Sequence, residues 1–220
     1  MIRNLKILLF AAAALVALGA LSASGAHAAE FHCSVEPCRY TLKPDGAAGT
    51  KTAHQVLVVK KGEESILVTC NKVEGEGTSS TKTTKELTIT QLAFLPCVVN
   101  SAEVASIRTN QCDYLYTSAG EFGLKCPAGQ GLEFSFSGCT VRFEPQGPLP
   151  GLKYHDAGTT KSELTVETAV QGLKGELIGT KAGCGVEPGA FTEGEYKTGN
   201  AILTGETDNA EAKMANVWWE

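Results

Sequence analysis

Residues 125–139 read KCPAGQGLEFSFSGC, and the second half of this stretch sets the fold class. Leu132, Phe134 and Phe136 alternate with Glu133, Ser135 and Ser137, the period-2 pattern of a strand with one face buried and one in water. A Pro-Ala-Gly-Gln-Gly run precedes the strand and a Gly-Cys pair ends it, so both ends carry turn chemistry. A cysteine sits at either margin. The unit is a short β-segment with cysteines at its boundaries, and the rest of the chain repeats that plan.

Working outward, the flanking segments are of the same kind. Tyr114 and Tyr116 alternate around Leu115, and Val141 and Phe143 share a face. Upstream, residues 54–60 and 65–70 are β-branched pieces around a hairpin at Lys61-Gly62. Val56 to Val59 run without alternation, which predicts a central strand covered on both faces. The Gly-rich stretch 44–52 reads as a loop, and residues 74–85, rich in Gly, Ser, Thr, Lys and Glu, as an exposed hairpin tip. Residues 86–94 alternate again, with Thr88 and Thr90 on one side. Two readings compete for that Thr-bearing face: an ice- or crystal-binding array, and the solvated face of an edge strand, which is the expected one.

The run EPQGPLPG at 144–151 holds three prolines and is expected to mark a domain boundary or a rigid crossover between sheets. Beyond it, strands are expected at 153–155, 163–170, 175–178, 195–198, 201–205 and 214–219, with Gly at nearly every junction. No long helical periodicity follows residue 28. The predicted fold is all-β: an antiparallel β-sandwich or partly open barrel stapled by disulfides.

The N-terminus indicates the compartment. Arg3 and Lys6 precede an unbroken apolar run at 7–21, and small residues lead to Ala26-His27-Ala28, the order of a secretory signal peptide cut after Ala28. The apolar run falls short of the ~20 residues of a membrane span. The mature chain, 29–220, is expected to be secreted, extracellular and unanchored. Its 192 of the 220 residues suit one large β unit, and 43% apolar composition allows a true core. Losing Arg3 and Lys6 takes the formal charge from −5 to −7. An acidic chain without a basic stripe repels phosphate backbones, so no nucleic-acid partner is expected.

All eight cysteines lie after residue 28, an even number that reads as four bridges in an exported chain. No C-x2-C or H-x3-H spacing points to zinc. Short-range closure favours Cys33–Cys38, Cys70–Cys97 and Cys126–Cys139, which leaves Cys112–Cys184 among the 105 formal pairings. Because only Cys184 follows the Pro-rich run, it must bridge backwards across it, making 29–220 a single unit.

Chemical motifs are sparse. His155-Asp156 places a base beside an acid, but strand neighbours point to opposite faces. There is no G-x-S-x-G elbow and no H-E-x-x-H helix. Asp208-Asn209 lacks the ordered spacing of a calcium loop and reads as a turn. No catalytic residue, metal or cofactor is expected. Trp218-Trp219 holds the only tryptophans. On a terminal strand one ring faces the core and the other faces out; Trp219 is the candidate ligand platform, for glycan or cell-wall material, against the alternative that both rings close the end of the sandwich. A small secreted hydrolase acting on glycans is the competing function, since 24 acids offer many carboxylate pairs.

The segments TCNKVEGEGTSS (69–80), NQCDYLYT (110–117), KCPAGQGLEFSFSGCTVRFEPQ (125–146) and GEYKTGNAILTGE (194–206) resemble a set of uncharacterised secreted proteins of soil actinobacteria. The likeness covers most of 60–220, and its motifs are structural: cysteines at strand ends and Gly-x-Thr-Gly junctions. It implies an all-β, disulfide-bonded extracellular protein and carries over no functional residues.

Overall fold

The computed structural model describes residues 29–44, 54–100, 102–103, 106–157, 161–207 and 215–220. The expected signal peptide at 1–28, most of the Gly-rich loop at 44–52 and the Asp208-Asn209 turn lie outside the described residues. In chain order the elements are β1 (Phe31–Cys33), β2 (Cys38–Pro44), β3 (Gln55–Lys61), β4 (Glu64–Ser79), β5 (Thr83–Thr84) and β6 (Glu86–Val99). They continue with β7 (Ala102–Glu103), β8 (Ser106–Arg108), β9 (Asp113–Thr117), β10 (Glu121–Lys125), β11 (Leu132–Phe136) and β12 (Cys139–Phe143). The last third holds β13 (Gln146–Pro150), β14 (Leu152–Ala157), β15 (Glu163–Gly179), a single helical turn α1 (Lys181–Cys184), β16 (Gly189–Thr198), β17 (Ala201–Glu206) and β18 (Val217–Trp219).

The fold is all-β and antiparallel. A small sheet brings residues 217–219 beside residues 31–33 in the order β18-β1-β5. The main sheet runs β13-β10-β9-β6-β4-β2-β17-β15-β12-β11-β8, with β3 seated between β4 and β16. This sheet rolls onto itself. Phe94 of β6 meets Phe134 of β11 edge-on at 5.4 Å, and Tyr114 of β9 meets Tyr196 of β16 at 5.6 Å, although neither strand pair is hydrogen-bonded. Leu132, Phe134 and Phe136 all face this core, while Glu133 and Ser135 stay partly exposed, so the alternation in the sequence maps onto the two faces of β11.

The Pro-rich run is a strand rather than a bare connector. β13 pairs with β10 through Phe122↔Leu149 and Glu121↔Pro150, an edge position where a missing N–H costs nothing. It also narrows the seam of the roll. The Gln146 carboxamide accepts from Lys174 N at 2.7 Å and donates to Lys174 O at 3.1 Å, mimicking a ladder pair with β15. Gly151 N donates to Gly120 O at 3.1 Å, and Ala169 N donates to Gly151 O at 2.7 Å. The chain thus crosses from β12 to the β10 edge and returns to β15.

Several expectations are corrected. Residues 74–79 belong to the 16-residue strand β4, not to an exposed tip. Residues 163–170 and 175–178 form one 17-residue strand, β15, with bulges around Leu173 taking up the glycines expected to break it. β6 is not an edge strand, since β4 and β9 flank it. β3 is central, but its outer face is uncovered, leaving Val56 and Val58 half-buried.

The bridges are Cys33–Cys38, Cys70–Cys97, Cys112–Cys126 and Cys139–Cys184. The last two replace the expected Cys126–Cys139 and Cys112–Cys184. The reason is geometric: Cys126 directly follows β10 and precedes β11, whereas Cys139 opens β12 opposite Phe136 at the far end of β11. A five-residue strand holds its terminal Cα atoms about 13 Å apart, well beyond the ~7 Å limit between bridged Cα atoms. Cys112 and Cys126 instead prolong the β9–β10 ladder, just past the Lys125↔Asp113 pair. Cys139 pairs across the ladder with Gly179, and α1 turns Cys184 back over that position.

On the outer face of β16, Glu195 is buried under Lys60 and Lys197, with Lys197 Nζ at 2.5 Å from Oε2. Hydrogen bonds from Lys197 and then Lys60 hold its carboxyl below the usual carboxylate range. A folded-state pKa below the unfolded value gives stability that is present above the unfolded pKa, about 4.3, and lost as pH falls through the folded one. Glu195→Gln is therefore expected to lower the melting temperature by a few degrees at neutral pH, and the gap between variant and wild type should close in melts below about pH 4. A gap that stays constant with pH would rule out an ionised Glu195 as its source.

Candidate ligand cleft

Three segments build the cleft around Trp219. The first is β18, which pairs with β1 through Phe31↔Trp219. The second is β14, whose alternation buries Leu152 and Tyr154 and exposes Lys153 and His155. The third is the Ser118-Ala119-Gly120 turn between β9 and β10. Thr117 caps this turn by accepting Glu121 N on Oγ1 at 3.1 Å, and Gly120 closes it at φ +83°. A Cβ on Gly120 would lie 2.7 Å from Leu152 O, so only glycine lets the turn sit against β14.

Trp219 is half-buried and fixed in pose. Its Nε1 donates to Ser118 O at 3.0 Å, its backbone N donates to Asp156 Oδ1 at 3.0 Å, and its ring tilts against Tyr154 at 5.7 Å. Tyr154 is held in turn by donation from its hydroxyl to Thr117 O at 2.8 Å, and burial pushes that phenol far above its ordinary pKa, so it stays neutral. Between these groups opens a cleft of about 490 Å³, with Trp219, Tyr154 and Leu152 along its apolar side and Lys153 and His155 at the rim.

Trp218 takes the opposite face of β18. Its indole stacks on the His32 imidazole at 5.1 Å and 9°, with Lys161 Nζ 5.4 Å from the ring centre. Glu220 joins this group through Lys161 at 3.0 Å and lies 4.0 Å from His32 Nε2. Lys161 holds the Glu220 carboxyl below the usual range. The two tryptophans thus point opposite ways, as alternation requires. The outward ring is Trp218, already sandwiched, whereas Trp219 faces inward and overlooks the cleft.

His155 and Asp156 diverge. The His155 imidazole faces Glu167 at 3.5 Å, and Asp156 is occupied by Trp219 N, so the pair forms no relay. Among the described residues no group of three His, Cys, Asp or Glu side chains is arranged to hold a metal ion, and no helix is long and apolar enough to cross a membrane. Sequence reasoning missed Tyr154 and the Ser118 turn. Both carried local signals, the alternation of Leu152-Lys153-Tyr154 and the Thr-Ser-Ala-Gly turn composition, but nothing local placed them beside Trp219, 65 and 101 positions further on. No family model matches this chain, and no curated protein or solved structure matches it.

Proposed function

We propose that this is an exported binding module that takes a sugar ring of glycan or cell-wall material in the Trp219 cleft. The observation that carries the reading is the Trp219 indole: pinned through Nε1 to Ser118 O, yet left half-exposed over a cleft of about 490 Å³. An aromatic ring fixed in this way presents its face to the C–H surface of a pyranose without losing rotamer freedom on binding. Lys153 and His155 at the rim supply polar contacts for the hydroxyls. Export is supported by the leader-like composition of residues 1–28 and by four disulfides, which persist in oxidising compartments.

A glycan array selects the oligosaccharide, and isothermal titration measures it. Trp219→Ala is expected to weaken binding roughly tenfold or more, as truncation of a central aromatic anchor does. The same change removes the Nε1 bond and the Tyr154 contact, so a modest fall in melting temperature accompanies it, and titrations belong well below that temperature. Equal affinity in variant and wild type overturns the reading, as does turnover of the bound glycan.

A further inference from the structure

A second surface lies on the outer face of β6, β4, β2 and β17. Register sets Thr90 opposite Glu76, Glu76 opposite Thr41, and Thr41 opposite Thr204. One step along, Thr78 stands opposite Arg39, and Arg39 opposite Glu206. The intervening residues Tyr40, Leu42, Ile89 and Leu203 are buried, so both rows point outward. Neighbouring strands are about 4.8 Å apart, so each row repeats polar groups at that spacing.

The surface is dished rather than flat. Gly75 and Gly77 occupy inward positions of β4, where a Cβ would come 2.5 Å from Ile89 Cγ2 and 2.5 Å from Thr88 O respectively. Their lack of side chains lets β6 close in toward the core at this point. The ladder slips between Glu74 and Glu76, and Gln91, at φ 52°, lies in the bulge of β6 and lines the hollow. The result is a cleft of about 580 Å³ lined by Arg39, Glu76, Thr78, Thr88, Thr90 and Gln91.

Its hydrogen-bonding polarity is defined. Thr90 Oγ1 donates to Glu76 O at 3.0 Å, and Thr41 Oγ1 donates to the Glu206 carboxylate at 3.3 Å. With those protons committed, both hydroxyls offer lone pairs outward, while the Glu76 carboxylate accepts from Arg39 Nη2 at 3.5 Å and Arg39 and Gln91 bring N–H donors to the lining. A surface that presents both acceptors and donors fits a ligand whose hydroxyls can donate and accept. Glu76, Glu206 and the chain's formal charge of −5 disfavour a polyanion, and a lining in which Pro37 stands among charged, hydroxyl and amide side chains disfavours an apolar one. We infer that this hollow binds a neutral polyhydroxylated chain, a polysaccharide segment laid across the strands. The strand spacing is close to the length of one sugar unit, so successive sugars meet successive strands. This site stands apart from the Trp219 cleft and recognises by hydrogen bonds instead of stacking.

The test is titration of a β-linked glucohexaose into wild type, Thr41→Val/Thr90→Val, Trp219→Ala and the triple variant. Valine keeps the shape and β-branching of threonine, so the melt should barely move. Two lost hydrogen bonds to neutral groups are expected to weaken hexaose binding roughly tenfold, in the wild-type and the Trp219→Ala backgrounds alike. Amide shifts of Thr41, Glu76 and Thr90 on adding hexaose to wild type give a readout independent of any variant. Unchanged affinity in Thr41→Val/Thr90→Val, together with shifts confined to the Trp219 indole, overturns this inference and leaves the cleft reading standing. Absence of hexaose binding at millimolar concentration, or ice-growth inhibition without it, overturns the glycan assignment of the hollow.

Discussion

Full reduction with dithiothreitol is expected to unfold the protein near room temperature or to lower its melting point by tens of degrees. Each bridge stabilises by about 2–4 kcal/mol in the chain-entropy account, against about 5–15 kcal/mol for a whole domain. The bridges are unequal. Cys139–Cys184 closes 45 residues and Cys33–Cys38 only 5, which corresponds to about 4 and about 2 kcal/mol. Cys139→Ser/Cys184→Ser should therefore be the most costly double substitution, and Cys33→Ser/Cys38→Ser the mildest, in urea titrations at constant slope. Cys139–Cys184 also ties β12 to α1 across the Pro-rich run, so its loss frees the turn that leads into β16. Non-reducing peptide mapping gives the direct check: the peptide carrying Cys184 should be linked to that carrying Cys139, and Cys112 to Cys126. Melts that coincide with and without reductant would mean that the thiols are unpaired.

What the sequence made legible was the unit, and what it hid was the way units meet. Alternation in residues 132–136 is a local property, because strand geometry alone sends neighbours to opposite faces, and the fold class followed from it. Glycine was harder to read. Gly75 and Gly77 look like loop residues by composition, yet they lie inside β4 because Ile89 and the Thr88 carbonyl leave no room for a Cβ, a fact about a strand some dozen residues away. The mispaired bridges have the same origin. Loop-closure entropy favours close cysteines, but a strand between two cysteines is a spacer, and the rigidity of β11 overrides the entropy. Trp219 could be placed on a strand end, and alternation correctly set it against Trp218. Which ring faced inward depended on the pairing of β18 with β1, strands far apart in the sequence. The hollow over Glu76 was half visible as a Thr-bearing face; that Thr41 and Thr90 donate their protons to the protein itself, and that Arg39 pairs with Glu76 beside them, appears only in the fold.

Phe134→Ala should be among the most damaging single substitutions in the chain. Phe134 has 0% exposure and lies edge-on to Phe94 at 5.4 Å and to Phe143 at 6.3 Å. Phe143 is on the neighbouring strand, but Phe94 is on β6, far along the main sheet, so this ring fastens one limb of the roll to the other. Removing it forfeits the transfer free energy of the ring, leaves a cavity between two layers that strands cannot collapse to fill, and breaks two edge-to-face contacts. The expected cost is about 3–5 kcal/mol, with the denaturant slope retained if the roll survives. Glu133→Gln, one residue away but on the outer face, should stay within about 0.5 kcal/mol, because its side chain meets only Arg142 at 3.9 Å near solvent. The pair is a strict test of the stretch that set the fold. Two neighbouring residues should differ several-fold in consequence solely because a strand turns them to opposite sides, and equal destabilisation would mean that residues 132–136 do not form a strand with one face in the core.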